Sequence, residues 1–144
     1  MKTLKFLILF LFLLSCTSEP DFFDFTAILT NESGSELTVS FYDNEELVNT
    51  VTLNQSESTT CNYSAETFDE FRRCGDIPRI NAMTVVFSNG KGYSCDLSSS
   101  SEQVLCFENA KNPLLAGDFN DLGNRQYEFI ITEEDFNNAH DLPE

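Results

Sequence analysis

The chain has 144 residues and a formal net charge of −16, with 24 acidic residues against 8 basic ones. That length suits one domain, and a surface so acidic repels phosphate backbones, which argues against nucleic acid as a partner. It is not the acidity of a disordered chain, because apolar residues recur at strand spacing and 14 phenylalanines are present to fill a core.

At the amino end, Lys2 and Lys5 precede an unbroken apolar run from Phe6 to Leu14. A basic start, a short apolar stretch and a small residue describe a secretory signal peptide. The run falls short of the roughly 20 apolar residues that a membrane-spanning helix needs. With Cys16 directly after Ser15, the segment Leu13-Leu14-Ser15-Cys16 closely resembles the lipobox of bacterial lipoproteins. That resemblance implies cleavage before Cys16, diacylation of its thiol, and acylation (palmitate) of the new amino terminus. Several acyl chains anchor lastingly, since each buried CH₂ contributes about 0.8 kcal/mol. Thr17 stands where an aspartate would, in such lipoproteins, argue for inner-membrane retention, so the expected address is the outer membrane. Glu19, Asp21 and Asp24 resemble the acid-rich stretch of some surface-exported lipoproteins. The expected organisation is therefore a cleaved signal peptide (1–15), a lipidated Cys16 with its tether (16–21), and one domain (22–144). The tether reaches roughly 15–20 Å at about 3.3 Å per residue. Loss of Lys2 and Lys5 leaves six basic residues and a formal charge of about −18, which would hold a tethered domain off anionic lipid.

Strand signals follow in quick succession. Phe23, Phe25, Ala27 and Leu29 alternate, and Asn31-Glu32-Ser33-Gly34 reads as a turn. Leu37, Val39 and Phe41 alternate up to an Asp43-Asn44 turn, and Leu47–Leu53 is a third run. Ser58–Tyr63 is a weaker fourth, and Ile80–Ser88 a strong fifth closed by Asn89-Gly90. Lys91–Leu97 and Gln103–Glu108 read as a hairpin, and Tyr127, Phe129 and Ile131 alternate in a last strand. Two short helices are predicted. One spans Ser64–Cys74, with Thr67 and Glu70 at capping-box spacing, acids ahead of Arg72-Arg73, and Gly75 as its stop. The other begins after Thr132 with Glu133, Glu134 and Asp135 in its first turn, and Phe136 docks it. Seven or eight short strands with one or two short helices indicate an all-β, Ig-like antiparallel β-sandwich. There is no tryptophan, so the likeness to antibody domains is one of architecture only.

Four cysteines remain after Cys16, an even number in an exported chain, which suggests two disulfides with three connectivities open. Folding 91–108 as a hairpin sets Leu97 opposite Val104 and Cys95 opposite Cys106, within disulfide reach. That leaves Cys61 with Cys74. No C-x-x-C pair occurs and His140 is the single histidine, so a zinc site is not expected.

Catalytic constellations are hard to assemble here. His140 sits near the chain end, where fraying is expected. No Walker loop, dinucleotide fingerprint or H-E-x-x-H is present. Two carboxylates suffice for a glycosidase, but no pair stands out among the 24 acids. Asp118, Asn120 and Asp121 begin like a calcium loop, yet Leu122 and Phe129 occupy positions that require oxygen ligands. They are the weak calcium candidates, with an Asn/Asp/Gly turn as the alternative. Tyr42 and Tyr63 are candidate platforms for sugar rings. Three Asn-x-Ser tripeptides begin at Asn31, Asn54 and Asn62 and carry no message in a bacterial envelope.

Three features together resemble small β-sandwich lipoproteins of diderm bacteria: the lipobox, the Asn31–Gly34 turn, and the ending Tyr127-Glu-Phe-Ile-Ile-Thr-Glu-Glu-Asp-Phe136. With no catalytic constellation in the sequence, the leading expectation is a non-enzymatic binding or structural accessory without cofactor, anchored to the membrane by lipid and facing the periplasm or the surface. It would hold a glycan, a peptide or another envelope protein. The rivals are a carboxylate-only glycan hydrolase, which needs a cleft with two acids, and a pilus-like assembly subunit, which needs an open sheet edge.

Overall fold

The computed structural model describes residues 21–69, 79–97, 106–107 and 111–142. Period-two alternation builds the strands. In β1 (Phe23–Glu32), β2 (Leu37–Asp43) and β5 (Ala82–Phe87), every second side chain is buried: Phe25, Ala27, Leu29; Leu37, Val39, Phe41; Met83, Val85, Phe87. β3 (Glu46–Leu53), β4 (Ser58–Ala65), β6 (Lys91–Asp96), β7 (Asn120–Gly123), β8 (Gln126–Thr132) and β9 (His140–Asp141) complete two sheets. Their strand orders are β4-β1-β8-β7 and β3-β2-β5-β6-β9. The expected all-β sandwich is the fold. One seam departs from the antiparallel rule: β1 and β8 run parallel, from Thr26 beside Gln126 to Glu32 beside Thr132. Parallel neighbours need a long crossover, and here the chain lays down four of the five strands of the second sheet between them.

The core lies between the inner faces, and aromatic rings close it at the ends. Phe107 stacks on Tyr93 at 4.2 Å between ring centroids, and Phe68 stacks on Tyr127 at 3.8 Å. Those two plugs account for two corrections. Ser64 and Ala65 extend β4, pairing with Asp24 and Phe23, and 66–69 are not helical. Phe68 is drawn to Tyr127, and Asp69 N–H donates to the Tyr63 hydroxyl (2.8 Å). The rest of the helix predicted over Ser64–Cys74 lies outside the described residues. Cys106 and Phe107 belong to no strand, β9 pairs with β6 at Lys91 and Gly92, and the rest of the strand predicted over Gln103–Glu108 lies outside the described residues. Burying the Phe107 ring in the core outweighs edge pairing there.

The Cys95–Cys106 disulfide nonetheless forms, with Cα atoms 4.5 Å apart. Cys61 is also disulfide-bonded. Its expected partner, Cys74, lies outside the described residues, as do Cys16 and the signal segment.

Two turns frame the outer face of the five-stranded sheet. The β2–β3 hairpin turns at Asn44 (φ 48°) and Glu45 (φ 70°), one residue later than predicted. Two successive positive φ values match the twist of the flanking strands. At the other end, the Asn31 side chain is fully buried and ties two crossings together. Its Nδ2 donates to the carbonyls of Ser35 (2.8 Å), Leu53 (3.0 Å) and Asn54 (3.0 Å). Its Oδ1 accepts from Ser33 N–H (3.0 Å) and Ser33 Oγ (2.7 Å). The first Asn-x-Ser tripeptide is thus a buried corner.

After β8, α1 (Glu133–Asn137) begins at Thr132 with a full capping box. Asp135 N–H donates to Thr132 Oγ1 (3.4 Å), and Asp135 Oδ2 accepts from Thr132 N–H (2.7 Å). Phe136 docks edge-on against Phe87, as expected.

Candidate functional site

The residues singled out from the sequence do not converge. Asp118 Oδ2 accepts from Asn112 N–H (2.8 Å), and Asp121 Oδ1 accepts from Gly123 N–H (2.8 Å). Asn120 opens β7 opposite Glu128. The suspected calcium loop is therefore the lead-in to a strand, each carboxylate bonded to nearby backbone. Among the described residues, no group of three or more His, Cys, Asp or Glu side chains is placed to hold a metal ion. His140 does not fray: it pairs with Gly92 in β9, and its ring stands edge-on to Tyr93 at 5.4 Å. Tyr63 is a core residue, so of the two candidate sugar platforms only Tyr42 borders a surface hollow.

That hollow, about 210 Å³, is lined by Tyr42, Asn44, Glu45, Asn81, Ala82 and Asp96. A pair of amides clasps its rim: Asn44 N–H donates to Asn81 Oδ1 (3.0 Å), and Asn81 Nδ2 donates to Asn44 Oδ1 (3.2 Å). Glu45 and Asp96 are its two carboxylates, set in a polar, half-open wall. A second hollow of about 260 Å³, beside Phe22, Ala65 and Asp69, lies where the described chain breaks off.

From the Tyr42 hollow, a flat hydroxyl-bearing face spreads over the five-stranded sheet. Thr50, Ser40, Thr84 and Ser94 form one row across β3, β2, β5 and β6, and Thr52 and Thr38 begin the next. Neighbouring hydroxyls bond across strands: Thr38 with Thr52 (3.3 Å), Ser40 with Thr50 (3.1 Å) and Tyr42 with Thr84 (3.4 Å). In a chain of charge −16, these six residues carry no charge, and the second row runs on through Val86 and Gly92 to His140.

The face ends at β3, and β3 is the feature with most to offer a partner. It is an edge strand of eight residues, so among the described residues one row of its N–H and C=O groups has no partner strand, although Asn49 Oδ1 accepts from Thr50 N–H (2.9 Å). Native edges are normally short, or guarded by Lys, Pro or a bulge. β3 has no Lys and no Pro, and Glu46 is its one charge. A register shift opposite Phe41/Tyr42 disturbs its first half, leaving Asn49–Leu53 in regular pairing with Leu37–Phe41. Leu47 is 55 % exposed, and Val48 and Val51 are half-buried, Val51 packed against the core. The other edges differ. β7 and β9 are only four and two residues long, and β4 carries no exposed large apolar side chain.

Sequence reasoning missed β3 as a site. Its signal was an alternating Thr-Val-Thr-Leu run without a gatekeeper, but only the sheet order shows that the run lies at an edge. Compared against protein-family models, curated proteins and solved structures, the chain matches none. Among the described residues no helix is long and apolar enough to cross a membrane.

Proposed function

We propose that the chain is a non-enzymatic accessory lipoprotein of the outer membrane, anchored through Cys16, which holds another envelope component at the exposed edge of β3. The observation that carries this reading is the edge itself: eight residues, one charge, no Lys or Pro, an irregularity confined to its first half, and Leu47 uncovered beside it. Main-chain groups on such an edge supply affinity to an incoming extended segment, and the alternating side chains supply selectivity. The anchor rests on the lipobox resemblance. It would keep the domain within roughly 15–20 Å of the bilayer, by the reach of the tether.

Two measurements test the halves separately. Labelled palmitate should enter the wild-type chain and sediment with the outer membrane, while Cys16→Ser should abolish both. A photo-crosslinking amino acid at Leu47 should capture an adduct in intact cells, and the same group at Glu128, on the opposite sheet, should not. Equal capture at the two positions would sink the edge reading. The same edge favours a second reading, a subunit of a surface assembly. That one predicts a ladder of adducts of increasing mass instead of a single band.

A further inference from the structure

Resting on that reading of β3, we infer that the edge accepts an extended peptide strand from a protein partner, uncharged over about five residues and basic at both ends. Two features set the length and polarity. Regular pairing with β2 survives only over Asn49–Leu53, so an added strand finds a five-residue stretch whose alternate residues turn their backbone groups outward, and it has to displace Asn49 Oδ1 from Thr50 N–H (2.9 Å) if that group is to pair with it. No side chain from Leu47 to Leu53 carries a charge.

Carboxylates bracket that neutral stretch. Asp43, Glu45 and Glu46 stand at the hairpin end. Glu32 and Glu57 stand at the other, where Glu57 Oε2 accepts from Asn54 N–H (2.8 Å) and Glu32 Oε2 accepts from Gln55 Nε2 (3.1 Å). The hydrogen bonds these five acids receive come from neutral amides and hydroxyls, and among the described residues no Lys or Arg pairs with them. Their field is therefore uncompensated at both ends of the edge, which favours Lys or Arg at both ends of an incoming strand. Between those ends, the added strand's alternate residues extend the Thr50/Thr52 hydroxyl face and cover Val51. Threonine and valine are the residue types that suit those two rows.

Charge also decides against a second copy of the chain. Antiparallel pairing of β3 with itself, centred on Val51 in the regular stretch, would lay Glu46 of one copy near Glu57 of the other at each end. Like charges there oppose association.

The test is a binding titration on the full 144-residue chain in detergent. Three fluorescent peptides share a Thr-Val-Thr-Val-Thr centre and carry two Lys, two Ser or two Glu residues at each end. The Lys-ended peptide should bind about tenfold or more tighter than the Glu-ended one, and weaken as salt is raised past about 0.15 M. Asn49→Pro and Thr50→Pro locate the contact, because neighbouring strand residues aim their N–H groups to opposite sides. One of the two should keep its melting temperature and lose the peptide, while the other should unfold. Equal affinity for all three peptides would overturn the charge argument and leave the edge reading standing. No binding by any of them, with crosslinking at Leu47 retained, would mean that the partner is not a strand of this kind. A dimer that strengthens with salt and is lost in the fold-retaining proline variant would give the edge to a second copy and overturn the inference.

Discussion

Asn31 shows how one side chain can hold a corner of a sandwich. Its amide serves three carbonyls and two Ser33 donors, while its backbone N–H donates to Glu57 O (2.9 Å) and its carbonyl accepts from Ser56 N–H (2.7 Å). The β1–β2 crossing is thereby tied to the β3–β4 turn. Replacing it by alanine leaves several buried groups unpaired, at about 1–3 kcal/mol for each that water cannot reach. Asn31→Ala should therefore lower stability by about 3 kcal/mol, read as a fall in urea midpoint at constant slope. Asn31→Asp should be worse, since a carboxylate would face three carbonyl oxygens. Gly92 is a second irreplaceable position for a steric reason. A Cβ there would lie 1.8 Å from Val85 O, a backbone atom that cannot swing away. Gly92→Ala should cost about 3 kcal/mol or more, or yield no soluble domain on expression.

At the scale of elements, α1 and its neighbours form a small polar lock on an apolar wall. Lys111 Nζ donates to Ile130 O (2.6 Å) and to Asp135 Oδ2 (2.7 Å), and lies 4.8 Å from the centre of the Phe129 ring. Asp135 Oδ2 also accepts from Thr132 N–H and Thr132 Oγ1. Lys111→Met keeps the packing of the stem and removes the charge, leaving a half-buried carboxylate without its cation. Thr132→Ala removes the cap. Each should cost about 1–2 kcal/mol, and their double mutant should fall short of the sum because both act through Asp135. The Cys95–Cys106 bridge closes a loop of sequence separation 11. Replacing both cysteines by alanine should cost about 2–3 kcal/mol by the loop-entropy argument, checked by thermal melting with and without reductant.

The same scale shows what the sequence made legible. Strands with one buried face announced themselves, because burial imposes period two on β1, β2, β5 and β8. The cap at Thr132 was legible because its partners lie three residues apart. β7 was not, since all four of its residues are exposed and no alternation is required of them. β9 was hidden by the weight given to end-fraying, which pairing with β6 and contact with Tyr93 overrule. The cysteine pair was named correctly from a hairpin that Cys106 and Phe107 do not form. The edge status of β3 was out of reach, because it depends on which strands stand beside it and not on its own residues.

On the scale of the whole molecule, charge governs the response to solvent. A formal −16 spread over 144 residues repels itself in the compact state, and salt screens that repulsion. The melting temperature should therefore rise as salt goes from about 0.01 M to about 0.5 M. Peptide binding at β3 should weaken over the same range. Opposite salt responses from one sample separate the self-repulsion of the domain from its attraction for a basic partner.

The parallel seam between β1 and β8 has a consequence in time. The chain is made amino end first, and β1 meets β4 early, since Thr30 and Ser58 are close in sequence. Its other neighbour emerges last: Thr26 must wait for Gln126, about a hundred residues later. Until then Phe25, Ala27 and Leu29 have only half a sheet to lie in, and the core stays open to water. A chain halted at Arg125 should therefore remain sensitive to protease, however long it is left to settle. Pairings so distant also make the final closure slow. Whatever escorts this protein has to shield an open, half-built sandwich of apolar side chains until the segment from Gln126 onward is free to pair with β1.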